Sequence, residues 1–243
     1  SIAVLPLDSL PTRQNSGKPK INTSLAIRLV LDRAASTQEA VDLLGSYDMV
    51  AMAGRDYHFF INDASGDSRV VEYDPQNPAR PMVVTHAREI TNYYACYANE
   101  VLPNQKNGAL GHGKERALAI AEVLDGVQPQ TKEVAWKALR CSSQEPNPED
   151  ITSNTQWSIV YDNINCTADF VLRRNWGEVF SFVVYLLRWR ALAADSGERA
   201  CLARLASAPI WRTGCPVLCI TRGLLMLVAS HPDSGARPAR TVS

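Results

Sequence analysis

Two short runs rich in aromatic and β-branched residues, Tyr57 to Asn62 and Arg69 to Tyr73, flank Asp63-Ala64-Ser65-Gly66-Asp67, and this pairing constrains the fold more than any other stretch. Turn chemistry at the tip makes the segment a β-hairpin. A third apolar run, Met82 to Thr85, follows a proline-punctuated loop and leads to Ile90-Thr91-Asn92-Tyr93-Tyr94. A polar side chain at the end of a strand can be aimed into a site. Asn92 is the candidate there.

Nearly half of the 243 residues are apolar, enough to bury a substantial core in one domain. Lysine plus arginine balance aspartate plus glutamate at 25 each, so no basic excess points to a nucleic-acid partner. No membrane span is expected. The longest apolar stretch, Cys215 to Ala229, is interrupted by Arg222 and is short for a bilayer. Six cysteines are too sparse for a disulfide scaffold, so reduced thiols are expected. Cys215-Pro-Val-Leu-Cys219 lacks a second ligand pair, and no metal site is expected. His58, inside a strand pattern, reads as a packed or edge histidine.

The chain opens as a buried-strand pattern, Ser1 to Leu7, without a charged-then-apolar leader. Lys18-Pro-Lys20 reads as a loop. Thr23 or Ser24 is placed to cap a helix whose apolar face comprises Leu25, Ile27, Leu29, Val30 and Leu31. Ser36-Thr37-Gln38-Glu39 is a capping-box pattern opening a second helix, packed through Ala40, Val41, Leu43 and Leu44. Beyond Asn92, the glycine-rich loop Asn107 to Gly113 precedes a helix from Lys114 to Leu124. That loop lacks both the P-loop and the dinucleotide spacing, and no cofactor is expected. Arg116, in the helix's first turn, is placed either to point back toward the loop or to lie in solvent, and the residues alone favour the solvent-facing reading.

Thr131 caps a further helix reaching Leu139, and the Ser-, Pro- and Asn-rich segment Cys141 to Asn154 is a loop. Gln156 to Tyr161, Thr167 to Arg173 and Val179 to Val184 read as strands. Hairpins interleaved with helix pairs predict an α+β fold with helices over antiparallel sheets, and make a parallel doubly wound sheet the less favoured pattern.

The segments TSLAIRLVLDRAASTQEAVDLLGSYDM and DYHFFINDASGDSRVVEY, then ITNYY, GHGKERA and TQWSIVYD, together resemble the choloylglycine hydrolase family, the linear amide C–N hydrolases that include bile-salt hydrolases and penicillin V acylases. The resemblance runs from Ser1 to Val184. It implies an N-terminal nucleophile hydrolase with an αββα four-layer sandwich and a small-molecule acyl-amide substrate. In the family, an N-terminal cysteine thiolate attacks the amide carbonyl, and its own amine shuttles the proton. Carried over residue by residue, Asn92 matches the asparagine that faces the nucleophile and Arg116 the active-site arginine. Asp63 is better explained by its turn. A homo-oligomer fits the family's habit.

Two departures accompany the resemblance. No cysteine precedes Cys96, so the chain reads as a domain (1–184) lacking its first strands, from a longer product or a truncated gene. An N-terminal serine nucleophile is disfavoured, because the neighbours of Ser1 align with an interior strand. The alternative to an amidase is an inactive remnant that binds a ligand or pairs with another chain. After Val184 the composition changes: residues 185–243 hold no lysine, eight arginines and three acids. This tail reads either as a shifted reading frame or as a divergent extension with helices at Tyr185 to Ala194 and Arg222 to Ala229, its last dozen residues disordered. The compartment is not indicated, since any leader would precede Ser1. Asn22-Thr-Ser24 and Asn165-Cys-Thr167 fit the glycosylation pattern, which has meaning only in a secreted chain.

Overall fold

A computed structural model describes residues 1–104, 110–127, 131–146, 148, 154–183 and 224–228. The first of two four-stranded antiparallel sheets has the order β1-β4-β5-β6: β1 (Ile2–Leu7), β4 (Asp56–Asn62), β5 (Ser68–Tyr73) and β6 (Met82–His86). The second has the order β10-β7-β8-β9: β7 (Trp157–Asp162), β8 (Thr167–Leu172), β9 (Phe180–Val183) and β10 (Leu224–Val228). The expected hairpin is the β4–β5 pair, with Phe60 opposite Val70.

Strand alternation sorts the side chains into two layers on the first sheet. Ile2, Phe59, Ile61, Val71 and Tyr73 point outward against Ala26 and Val30 of α1 (Thr23–Arg33) and Ala40 and Leu44 of α2 (Thr37–Gly45). Ala3, Leu5, Phe60 and Val70 point inward and meet Ile159 and Ala168 of the second sheet. The outer face of that second sheet, through Val160, packs on α4 (Lys114–Leu124) and α5 (Lys132–Cys141). Helices, sheet, sheet and helices thus form the four αββα layers.

Helix termini follow local chemistry. Ser36 Oγ accepts from the Glu39 amide at 3.1 Å, as the capping pattern predicts. The hairpin tip completes that end of α2: Asp63 accepts from the Thr37 amide and Asp67 from the Thr37 hydroxyl. Two carboxylates at a helix N-terminus also complement its dipole. Asp63 therefore serves both its turn and the helix layer.

Several expectations are corrected. The cap of α1 is Asn22, whose side chain accepts from the Leu25 amide, one residue before the expected pair. Leu25 and Leu31 are more than half exposed, because the inward stripe of α1 runs through Thr23, Ala26 and Val30. Lys20 lies in a strand: β2 (Lys20–Asn22) pairs in parallel with β3 (Asp48–Val50) across the α1–α2 crossover. Three residues carry no readable period, and the partner is remote in sequence. Leu224–Val228, expected within a helix, pairs antiparallel with β7. A five-residue apolar run is ambiguous until its partner is known. The expected helix from Tyr185 to Ala194, the disordered ending and the Cys215/Cys219 pair lie outside the described residues.

Phe60 is fully buried at the junction of the two sheets. Phe60→Ala is expected to cost about 3–5 kcal/mol in urea unfolding. Ser36→Ala should cost about 1 kcal/mol through loss of the cap.

Candidate active site

Asn92 is 2 % exposed, and its side chain is fixed at both ends. The amide Nδ2 donates to the Pro6 carbonyl near the end of β1 at 3.0 Å, and Oδ1 accepts from Arg116 Nη2 at 2.9 Å. Proline has no N–H, so this stretch of β1 presents only an acceptor, and an amide donor is its natural partner. The guanidinium sets the amide's orientation, because it can only donate. The second Nδ2 hydrogen has no acceptor among the described residues. Residues 24 apart in sequence are thereby joined, and the expectation that Arg116 faces solvent is overturned: it is half-buried. Burial draws the Arg116 guanidinium below its ordinary pKa, partly offset by Glu115, yet it stays charged.

The glycine loop makes this juxtaposition possible. Tyr94 N–H donates to the Leu110 carbonyl at 2.9 Å and His112 N–H to the Asn92 carbonyl at 2.7 Å, so the loop lies along Thr91–Tyr94 like a short strand. A Cβ on Gly111 would sit 2.2 Å from Tyr93 Cα, and its φ of +118° is itself glycine-specific. On Gly113, the N-cap of α4, a Cβ would fall 2.6 Å from Arg116 Nη2. The glycines bring backbone to backbone and clear space for the arginine.

Two buried polar groups pin the same segment to the first sheet. Glu72 accepts from the Ala95 and Cys96 amides at 3.0 and 2.6 Å and lies 3.3 Å from His58 Nδ1, with both side chains wholly buried. Burial pushes the Glu72 carboxyl up, but the His58 contact and the amide donors outweigh it and leave a net lowering. Asp56, also fully buried, accepts from Tyr94 Oη at 2.6 Å, the Thr12 amide at 3.1 Å and Arg80 Nη1 at 3.2 Å. Nothing local in the sequence marked Asp56, Glu72, Arg80 or Tyr94. Only the hairpin register and the proline-rich loop bring them together. At the rim, Asp8 contacts His112 Nδ1 at 3.2 Å and Arg55 at 3.6 Å.

Cys96, Cys141 and Cys166 are free thiols. Burial and the neighbouring Glu72 carboxylate push the Cys96 thiol far up, which disfavours its nucleophilic form. The Ser1 amine donates to the Asn62 carbonyl at 2.7 Å, at the opposite end of β1 from Pro6. Five strand residues separate the two, about 17 Å. Among the described residues, no group of three or more His, Cys, Asp or Glu could hold a metal ion, and no helix is long and apolar enough to cross a membrane.

The model of the family described as acyl-coenzyme A:6-aminopenicillanic acid acyl-transferase matches residues 10–176. In fold, the chain is similar to a cysteine-to-alanine mutant of the conjugated bile acid hydrolase from Clostridium perfringens, with a TM-score of 0.56 and 12 % identity over 75 % of this chain and 69 % of that one. No curated protein sequence matches the chain.

Gly111→Ala should lower the melting temperature sharply and weaken the Asn92–Arg116 contact, read as a chemical-shift change at Arg116 Nε. A depressed carboxyl stabilises the fold fully above its unfolded pKa, and that stability is lost as pH falls through the lower folded value. Stability of the wild type should therefore fall below about pH 4. Glu72→Gln should flatten this acid limb in urea titrations.

Proposed function

Because the chain belongs to the acyl-coenzyme A:6-aminopenicillanic acid acyl-transferase family, within the choloylglycine hydrolase group, we propose that it is the part of a linear-amide hydrolase that binds the amide's oxyanion. The substrate class is a small acyl-amide, such as a conjugated bile salt, penicillin V or an N-acyl amine. The observation that carries this reading is the Asn92 amide, held between the Pro6 carbonyl and Arg116 with one N–H to spare.

A thiolate attacks the amide carbonyl carbon and the C=O π electrons move to oxygen. The spare N–H of Asn92 then donates to that oxyanion. A neutral donor fixed beforehand needs no reorganisation as the charge develops, which is why such a group is worth orders of magnitude in rate. Collapse of the intermediate breaks the C–N bond, a proton goes to the departing amine, and a thioester remains for water to cleave. Arg116 is a positioning residue here, holding Oδ1 so that the N–H keeps its aim. The thiol is proposed to come from a cysteine outside these 243 residues. The raised Cys96 thiol and the placement of Ser1 support that assignment.

The second reading, a remnant that binds without turnover, shares this geometry and differs only in the thiol. Reading the coding sequence upstream of Ser1 separates the two, since a cysteine soon after a start or cleavage site favours the enzyme. The 243-residue chain alone is expected to release no amine from a panel of acyl-amides. Turnover by it would overturn the external-thiol assignment. In a product that carries the cysteine, Asn92→Ala should lower kcat on the order of 10²–10³-fold with KM little changed. A change confined to KM would remove Asn92 from the oxyanion site.

A further inference from the structure

The inner face of the first sheet ends, at the β4–β5 hairpin, in a cleft of about 530 Å³ whose other wall is the segment after β6. Neither Asn92 nor Arg116 lines it. Ser68, on one wall, lies opposite Asn62 and Pro6 opposite Tyr57, five strand positions or about 17 Å along the sheet, while Tyr93 on the other wall directly follows Asn92. A larger cleft of about 610 Å³ is lined by a single face of α5 and offers no converging chemistry.

Its walls combine apolar and hydrogen-bonding groups. Ile90, Ala98 and Leu102 supply apolar surface, while Ser68, Glu89 and Tyr93 bring two hydroxyls and a carboxyl. Ser68 is 5 % exposed, and its Oγ has no hydrogen-bond partner. Leaving a buried hydroxyl unbonded costs about 1–3 kcal/mol. Glu89 makes no hydrogen bond among the described residues, and burial pushes its carboxyl up despite the nearby Arg88. The cations and the other acid around the cleft are already engaged: Arg88 Nη2 donates to the Leu124 carbonyl at 2.5 Å, and His86 lies 3.3 Å from Asp67. The groups left over are one carboxyl and two hydroxyls, and each of the three can accept a hydrogen bond.

We propose that this cleft binds a primary alkylammonium, its three N–H donors shared among the Glu89 carboxylate, Ser68 Oγ and Tyr93 Oη, and its chain lying on Ile90, Ala98 and Leu102. An ammonium matches three acceptors in number. It also adds a positive charge beside a carboxylate that burial partly desolvates. The apolar wall selects an amine with a short hydrocarbon body over a bare cation. This site does not rest on the amidase reading.

The test is titration of the full 243-residue chain with n-hexylammonium and with n-hexanol, followed by calorimetry and by amide chemical shifts. Saturable hexylammonium binding with shifts centred on residues 86–102 is expected, about ten-fold or more tighter than hexanol. Glu89→Gln should weaken hexylammonium binding by about ten-fold and leave hexanol unchanged, and Ser68→Ala should cost less. Equal affinity for amine and alcohol, no saturation or an unaffected Glu89→Gln would each overturn the proposal. The amine-versus-alcohol comparison in the wild type decides the matter even if a variant fails to fold.

Discussion

The first sheet is covered on both faces, by α1 and α2 outside and by the second sheet inside, and the remainder of the structure follows from that constraint. A strand with two buried faces cannot leave polar side chains in water, so a polar group on it is costly unless it finds a partner within the protein. Asp56 and His58 on β4, with Glu72 on β5, are fully buried. Asp56 and Glu72 recruit Tyr94, Ala95 and Cys96, while His58 pairs with Glu72. Satisfying the sheet's polar groups thus draws the segment from Thr91 to Tyr97 across its face. Asn92 travels with that segment to the end of β1.

The same need explains the site's economy. Asn92 touches three parts of the chain at once: the Pro6 carbonyl, the Arg116 guanidinium and, through its backbone carbonyl, the His112 amide. Each contact fixes a different degree of freedom, and the glycines at 111 and 113 remove the bulk that would prevent them. A polar side chain pre-set in this way stabilises developing charge more than the same amide free in water would. On the proposed reading, the four-layer architecture matters to chemistry through this preorganisation, because fold alone does not specify an activity.

Where the sequence misled, the cause was distance along the chain. Arg116 reads as solvent-facing in an amphipathic helix, yet it turns toward a loop that folds back on Asn92. Leu25 and Leu31 count toward an apolar face by composition, whereas α1 settles on its smaller residues, Ala26 and Val30, to approach the sheet closely. Leu224–Val228 is apolar enough for either regular structure, and its pairing with β7 decides for strand. Periodicity reports which face is apolar and is silent about the distance of approach or the partner.

What the sequence determined by itself is therefore local and periodic: the hairpin around Gly66, the caps at Ser36 and Thr131, the bounds of α4, and, through its motifs, the family. Those properties are set by neighbours within a few positions or by motif. The tertiary structure alone decided that Asp56, Glu72, Arg80 and Tyr94 tie the hairpin to the segment around Asn92, that β2 and β3 run parallel, and that Ser68 and Glu89 line one cleft. Each of these joins residues far apart in sequence, and buried polar groups become partners only when two sheets closing on one another remove the water that would otherwise satisfy them.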